Sequence, residues 1–217
     1  KICLNMALNE ENNEKRVFLS QLKQEYNAET IKNKIEIIKN LKVLVVGDTI
    51  IDEYAFCDNI ERAKKEPILV LQYKNSEYHA GGILAIANHV AEYIDDVTLL
   101  TLIGNDDIIP KIISNNLNKK IKRTIFTDDK YPTLIKRRYL EAYRNQKIFE
   151  VYNKEHDIVS HKEDEILYYL DKFLEYFDIV IVADFGHGFI TEKIKEKLME
   201  KAKYLAVNVQ TNSGNLG

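Results

Sequence analysis

Three short stretches combine carboxylates with glycines in a way that could do chemistry on a polar ligand. The first is Gly47-Asp48-Thr49-Ile50-Ile51-Asp52, directly after an apolar run. An ionised carboxylate offers acceptors only, so Asp48 and Asp52 suit donors such as sugar hydroxyls. Either acid could equally cap a turn. The second is Gly81-Gly82, ahead of an alanine-rich stretch. Two glycines let a backbone pass close to a ligand, and the N–H groups of a helix start favour anionic or polar oxygens. A plain turn before a helix explains the same pair. The third is Asp184-Phe185-Gly186-His187-Gly188. An acid at a strand end followed by Gly186 and Gly188 suits a metal-bridging or phosphate-facing role, and also a tight strand-to-helix connection. His187 reads as a surface-loop histidine. His156 and His161 flank a hydrophilic turn without a matching ligand set, so no metal site is expected there. The sequence holds neither G-x-x-x-x-G-K-[ST] nor G-x-G-x-x-G, which leaves a P-loop NTPase and a dinucleotide-binding Rossmann domain unsupported.

The elements that must carry these groups are legible in the pattern of apolar residues. Residues 42–47, 97–103, 179–184 and 204–209 are short continuous apolar runs, the mark of strands buried on both faces. Between them, residues 82–94 carry a stripe at Ile83, Ile86, Ala87, Val90 and Ile94, and residues 106–117 have Pro110 in the first turn. Residues 163–177 line Ile166, Leu170, Phe173, Leu174 and Phe177 on one face behind a Ser160-x-x-Glu163 capping box. Residues 191–203 open on an N-cap threonine, Thr191.

Such alternation predicts an α/β fold, a mainly parallel sheet covered by helices on both faces. Ligands of open α/β sheets bind beyond the carboxyl ends of the strands. That places candidates at Gly47-Asp48, at Gly104-Asn105-Asp106, at residues 184–188 and in the chain after Val209. Two segments break the alternation, 53–79 and 125–152. They are β-type and aromatic, and predict a small accessory sheet. Residues 1–40 form a separate helical extension, with Val17, Leu19, Leu22, Tyr26, Ile31, Ile35 and Ile38 spaced by about three and four.

Bulk properties narrow the class. Across 217 residues the hydrophobic share is 45% and the charged share 30%, an ordinary globular balance with enough apolar residues for a core. A net charge of −3 argues against a nucleic-acid partner, and Lys136-Arg137-Arg138 is too small a cluster to change that. Cys3 and Cys57 are far apart without C-x-x-C spacing, so a reducing cytoplasm is the default location. No apolar run approaches the roughly 18 residues that span a bilayer, so no membrane partner is expected. The chain begins at Lys1, as a piece of something longer would.

In chain order these pieces resemble a known family. Residues 43–54 resemble the opening strand of PfkB/ribokinase-class carbohydrate kinases. The nearest are the kinase domains of ADP-heptose synthases and of cytidylyltransferase-linked PfkB proteins. Residues 62–67 followed by His79-Ala80-Gly81-Gly82 resemble the lid and the Gly-Gly sugar site. Residues 131–138 with 144–147 resemble the second lid segment. Residues 182–188 are similar to the S-D-Y-G-K-G signature. The resemblance covers residues 41–217.

It implies a ribokinase-like fold with a small β lid, truncated at the C-terminus, preceded at 1–40 by an extension or linker from another domain. It further implies ATP- and Mg2+-dependent phosphorylation of a sugar or sugar phosphate, heptose-phosphate-like, for nucleotide-activated sugars and surface glycans. Asp52 and the Gly81-Gly82 backbone would hold sugar hydroxyls, with Asp48 and Asn88 beside them. Lys136 and Arg138 would face a phosphate already on the sugar, and Asp184, Gly186 and Gly188 would lie near the transferred phosphates or magnesium. The catalytic base of the family sits in a later G-A-G-D segment, expected beyond Gly217, so no catalytic residue is assigned and the fragment alone is expected to be inactive. Lid strands in this family often pair between subunits, which makes a homodimer an expectation.

The sequence also departs from the pattern. Ala85 stands where asparagine is usual, with Asn88 and His89 following; His187 replaces a lysine; and Asn208-Val209-Gln210 stands where the heptose kinases have Asp-Pro-Lys. These departures keep open a catalytically silent sugar-binding or scaffold domain attached to a nucleotidyltransferase. An unrelated nucleotide-binding α/β domain would lack the accessory sheet.

Overall fold

The computed structural model describes residues 2–153 and 161–211. It divides into two units, Lys1–Asn40 and Leu41–Gly217. The first holds α1 (Ile2–Glu25) and α2 (Ala28–Ile38). Asn27 separates them because its extended backbone cannot continue a helix, and its Oδ1 accepts the Thr30 N–H at 2.8 Å, a side-chain N-cap. Ile31, Ile35 and Ile38 form the expected stripe on α2.

The second unit runs β1 (Lys42–Gly47), β2 (Thr49–Arg62), β3 (Leu69–Gly82), α3 (Ile83–Val90), β4 (Asp96–Gly104), α4 (Ile109–Asn116), β5 (Lys122–Asp128), β6 (Leu134–Glu141), β7 (Gln146–Tyr152), α5 (Glu163–Phe173), β8 (Ile179–Asp184), α6 (Glu192–Lys201) and β9 (Leu205–Val209). Five strands form an all-parallel sheet in the order β5-β4-β1-β8-β9. Central β1 explains why the sequence reads as continuously apolar. Val43 and Val45 point into a core shared with Ile83, Leu84 and Ile113, on the α3/α4 side. Leu44 and Val46 point to the opposite core, with Ile166, Leu170 and Leu198 of α5 and α6. Each such side chain contributes about 1.5–3 kcal/mol on burial.

Four strands form a second sheet in the order β3-β2-β6-β7. β2 and β3 are antiparallel, β2 and β6 parallel, and β6 and β7 antiparallel. This is the accessory sheet, with corrected borders. Residues 125–128 do not belong to it: they lie in β5, which among the described residues is an edge strand of the main sheet, paired with β4. An edge position leaves Lys122 and Arg123 exposed, so the strand lacks the apolar run that marks its neighbours. Conversely, β2 starts at Thr49 and β3 runs on to Gly82, so the second sheet grows directly out of the end of β1.

Helix borders shift as well. The helix expected over 82–94 stops at Val90, and the one expected over 163–177 ends at Phe173, giving way to a 3-10 turn at Leu174–Tyr176. The capping-box serine, Ser160, lies outside the described residues. The helix starts after Lys162 without a side-chain cap, its first turn carrying Glu163, Asp164 and Glu165, which suits the positive end of the helix dipole. Thr191 caps α6 as expected, its hydroxyl accepting the Ile194 N–H. Pro110 sits in the first turn of α4. Among the described residues, no helix is long and apolar enough to cross a membrane.

Candidate functional site

The site grows from the carboxyl end of β1. Thr101 of β4 donates to the Gly47 carbonyl at 2.7 Å and shares a hydrogen bond with Thr49 at 2.8 Å, so buried hydroxyls pin the strand end. Asp48 follows and is 1% exposed. Its carboxylate accepts the backbone N–H groups of Phe185 (3.2 Å), His187 (3.4 Å) and Phe189 (3.1 Å). Asp48, expected beside the sugar, thus has its carboxylate engaged by the 185–189 loop. Tyr131 joins the same group, donating to the His187 carbonyl at 2.8 Å and lying 3.5 Å from Asp48 Oδ1. Burial first, then the Asp48 charge, pushes the Tyr131 hydroxyl pKa well above its ordinary value.

Asp52 is placed differently. It lies on β2 opposite His79 of β3 and Lys136 of β6. Strand alternation puts Asp52, Tyr54, His79, Lys136, Arg138, Glu150 and Tyr152 on one face of the second sheet. Arg138 donates to Asp52 and, through Nε, to Glu150 at 2.9 Å. Its guanidinium lies 5.4 Å from the centre of the Tyr54 ring. Tyr152 donates to the second Glu150 oxygen at 2.8 Å, and this hydrogen bond, aided by Arg138, holds the Glu150 carboxyl below its ordinary pKa. Lys136 Nζ sits 5.6 Å from the Tyr152 ring centre, and no ion pair of Lys136 occurs among the described residues.

Gly81 and Gly82 close the cradle. A Cβ on Gly81 would collide with the Asp52 carboxylate, so glycine lets that acid lie against the backbone. Gly82 has φ 53°, and a Cβ there would also strike the Asp48 carbonyl. α3 starts at the next residue with no side-chain cap, its first N–H, of Ile83, bonded to the Asp48 carbonyl at 3.0 Å.

On the neighbouring strand, Asp184 ends β8. One of its oxygens accepts the Gly186 N–H at 2.8 Å. Gly186 (φ 73°) and Gly188 (φ 89°) both take left-handed backbone, which is what turns the loop back over Asp48. A magnesium ion bound with nucleotide takes one or two carboxylates beside phosphate oxygens. Asp184 at a strand end fits one such contact. Among the described residues, no group of three or more His, Cys, Asp or Glu could hold a metal by itself.

Asn88, expected beside the sugar, is bonded within the protein. Its amide N–H donates to the Asn116 carbonyl and its oxygen accepts the Asn118 N–H, both at 2.8 Å. Those partners are the last residue of α4 and a residue of the connection to β5, at the end of the sheet away from Asp48 and Gly82. Asn88 braces two connections rather than facing a ligand.

Sequence reasoning missed Glu53, which is buried on the opposite face of the second sheet. It pairs with Arg137 Nε at 2.7 Å and accepts from Ser76 at 2.8 Å. Glu150, Tyr152 and Tyr131 were missed too. The strand alternation of 146–152 was the available signal for the first two; nothing local marks Tyr131.

No protein-family model matches the chain. Among curated proteins it is similar to the D-beta-D-heptose 7-phosphate kinase of Bordetella bronchiseptica, 29% identical over 157 residues, covering 70% of this chain and 48% of that protein. It is also similar to the bifunctional protein HldE of Pasteurella multocida, 27% identical over 171 residues, covering 79% of this chain and 35% of that protein. Among solved structures, a carbohydrate kinase from Agrobacterium tumefaciens superposes with TM-score 0.58 at 15% identity, covering 77% of this chain and 53% of the other. Ribokinase from Giardia lamblia gives TM-score 0.56 at 13% identity, covering 81% and 57%. The chain thus spans between a third and a half of these curated relatives, and a little over half of the solved structures.

Proposed function

From the premise that this chain has a ribokinase-like fold and is homologous to PfkB/ribokinase-class carbohydrate kinases, we propose that it is the substrate-binding portion of an ATP- and Mg2+-dependent kinase acting on a heptose-phosphate-like sugar. The observation that carries the reading is the cradle of Asp52 against Gly81-Gly82. A carboxylate held over a glycine backbone, at the mouth of an α/β sheet, matches what a sugar hydroxyl needs from a protein. Arg138 fixes the orientation of Asp52, and Lys136 supplies the cation for a phosphate already on the sugar. Asp184, with Gly186 and Gly188, would face the phosphates and magnesium, and MgATP would supply the phosphoryl group. The proton of the attacking hydroxyl would go to a base outside these residues, so the 217-residue chain by itself should not turn over. The product would feed nucleotide-activated sugar and surface glycan synthesis in the cytoplasm.

A homodimer through the second sheet fits the same reading. Tyr78, Phe149 and Val151 are exposed on the face that carries Glu53 and Arg137, which suits a self-complementary contact.

The test is a screen of the full-length protein against heptose and hexose phosphates with MgATP, together with Asp52→Asn. The variant should keep its circular dichroism and melting profile while KM for the sugar rises by at least tenfold or turnover is lost. One departure favours a second reading, a silent sugar-binding domain beside a nucleotidyltransferase: His187 stands in place of the signature lysine. Saturable sugar-phosphate binding without any phosphoryl transfer by the full-length protein would select it.

A further inference from the structure

Asp48 touches both halves of the proposed site with different atoms. Its main-chain carbonyl accepts the first N–H of α3, at 3.0 Å, immediately after the Gly81-Gly82 sugar side. Its carboxylate gathers three alternate backbone N–H groups, of Phe185, His187 and Phe189, on the loop that follows Asp184. Tyr131, from the segment between β5 and β6, closes the group by holding the His187 carbonyl. The loop is also tethered by Phe189, buried in one core, and Phe185, packed against the other, but between them Gly186 and Gly188 carry no side chains and occupy left-handed backbone. A buried charge that accepts several N–H groups is a strong and directional anchor.

We propose that Asp48 is a positioning residue: resting on the kinase reading above, it sets the 185–189 loop and Asp184 at a fixed distance from the Gly81-Gly82 side, so that the phosphate end and the sugar end of the site are held in register. It touches no substrate. Its effect should appear in turnover more than in sugar affinity, because a loop out of place misaligns the transferring group without removing the hydroxyl contacts at Asp52.

The test compares wild type with Asp48→Asn. An asparagine keeps one acceptor oxygen and turns the other position into a donor, so at least one loop N–H loses its partner. In hydrogen exchange on the 217-residue chain, residues 185–189 should exchange about 10- to 100-fold faster while β1 and β8 keep their protection. In the full-length protein with heptose 7-phosphate and MgATP, kcat should fall by about 100-fold and the sugar KM should change by less than about threefold. Unchanged exchange at 185–189 overturns the proposal, as does a loss confined to sugar KM. If the wild type shows no turnover, the kinase reading fails, while the exchange result still decides whether Asp48 anchors the loop. Should Asp48→Asn lose protection everywhere, Tyr131→Phe replaces it: faster exchange limited to the loop supports the anchor, and wild-type exchange there refutes it.

Discussion

The two sheets of the larger unit are held together by different forces. In the five-stranded sheet the central residues Val43, Leu44, Val45 and Val46 are fully buried, packed by helices on both faces. In the four-stranded sheet the face with Asp52 is tied by charge and hydrogen bonding: Asp52–Arg138–Glu150, with Tyr152 behind. The opposite face adds Glu53–Arg137, and the outer part of β2 and β3 adds Lys74–Asp58. Burial is non-directional and additive with area, so the first sheet sets stability. The charge pairs of the second sheet are partly buried and directional, and on the proposed reading they orient Asp52 for recognition.

Perturbing each sheet in turn should separate the two roles. The largest stability effect belongs to Leu44→Ala, which removes buried contacts with α5 and α6 and should cost about 2–5 kcal/mol in chemical denaturation. A loss under 1 kcal/mol would break the contrast.

Arg138→Met comes next. It keeps much of the aliphatic length but frees Asp52 from its orienting partner. It should raise sugar KM by about tenfold and lower stability by less than Leu44→Ala does. A large drop in stability with unchanged KM would reverse the assignment of roles.

The smallest effect concerns pH. The folded-state pKa of Glu150 is depressed, so its contribution is present above the ordinary carboxylate value and is lost as pH falls through the lower folded value. The Glu150–Arg138 pair should therefore survive mild acid and release Arg138 only below the ordinary glutamate range. Sugar affinity of Glu150→Gln should match wild type at low pH and be weaker at neutral pH. Curves that coincide at all pH values would remove Glu150 from the orienting chain.

The same contrast governs what could be read from the sequence. β1, β4 and β8 were legible because strands buried on both faces must be apolar throughout, as in Val43 to Val46. β5 escaped because an edge strand tolerates Lys122 and Arg123, and so its residues were assigned to the accessory sheet. Gly81 was legible as a place of close approach, though the collision that demands it, with the Asp52 carboxylate, is visible only in three dimensions. Asp48 and Asp52 looked alike four residues apart. What separates them is a loop 137 to 141 residues downstream for Asp48 and an arginine 86 residues downstream for Asp52. No local pattern encodes such partners. The same holds for Asn88, whose partners are 28 and 30 residues away.

The central claim is that the Asp52 and Gly81-Gly82 cradle binds the sugar of a kinase. Its most direct test is steady-state phosphorylation of heptose 7-phosphate by the full-length protein with MgATP, comparing wild type with Asp52→Asn. The account predicts turnover by the wild type and at least a tenfold loss of kcat/KM in a variant that melts as the wild type does. Equal kcat/KM for the two proteins would contradict it.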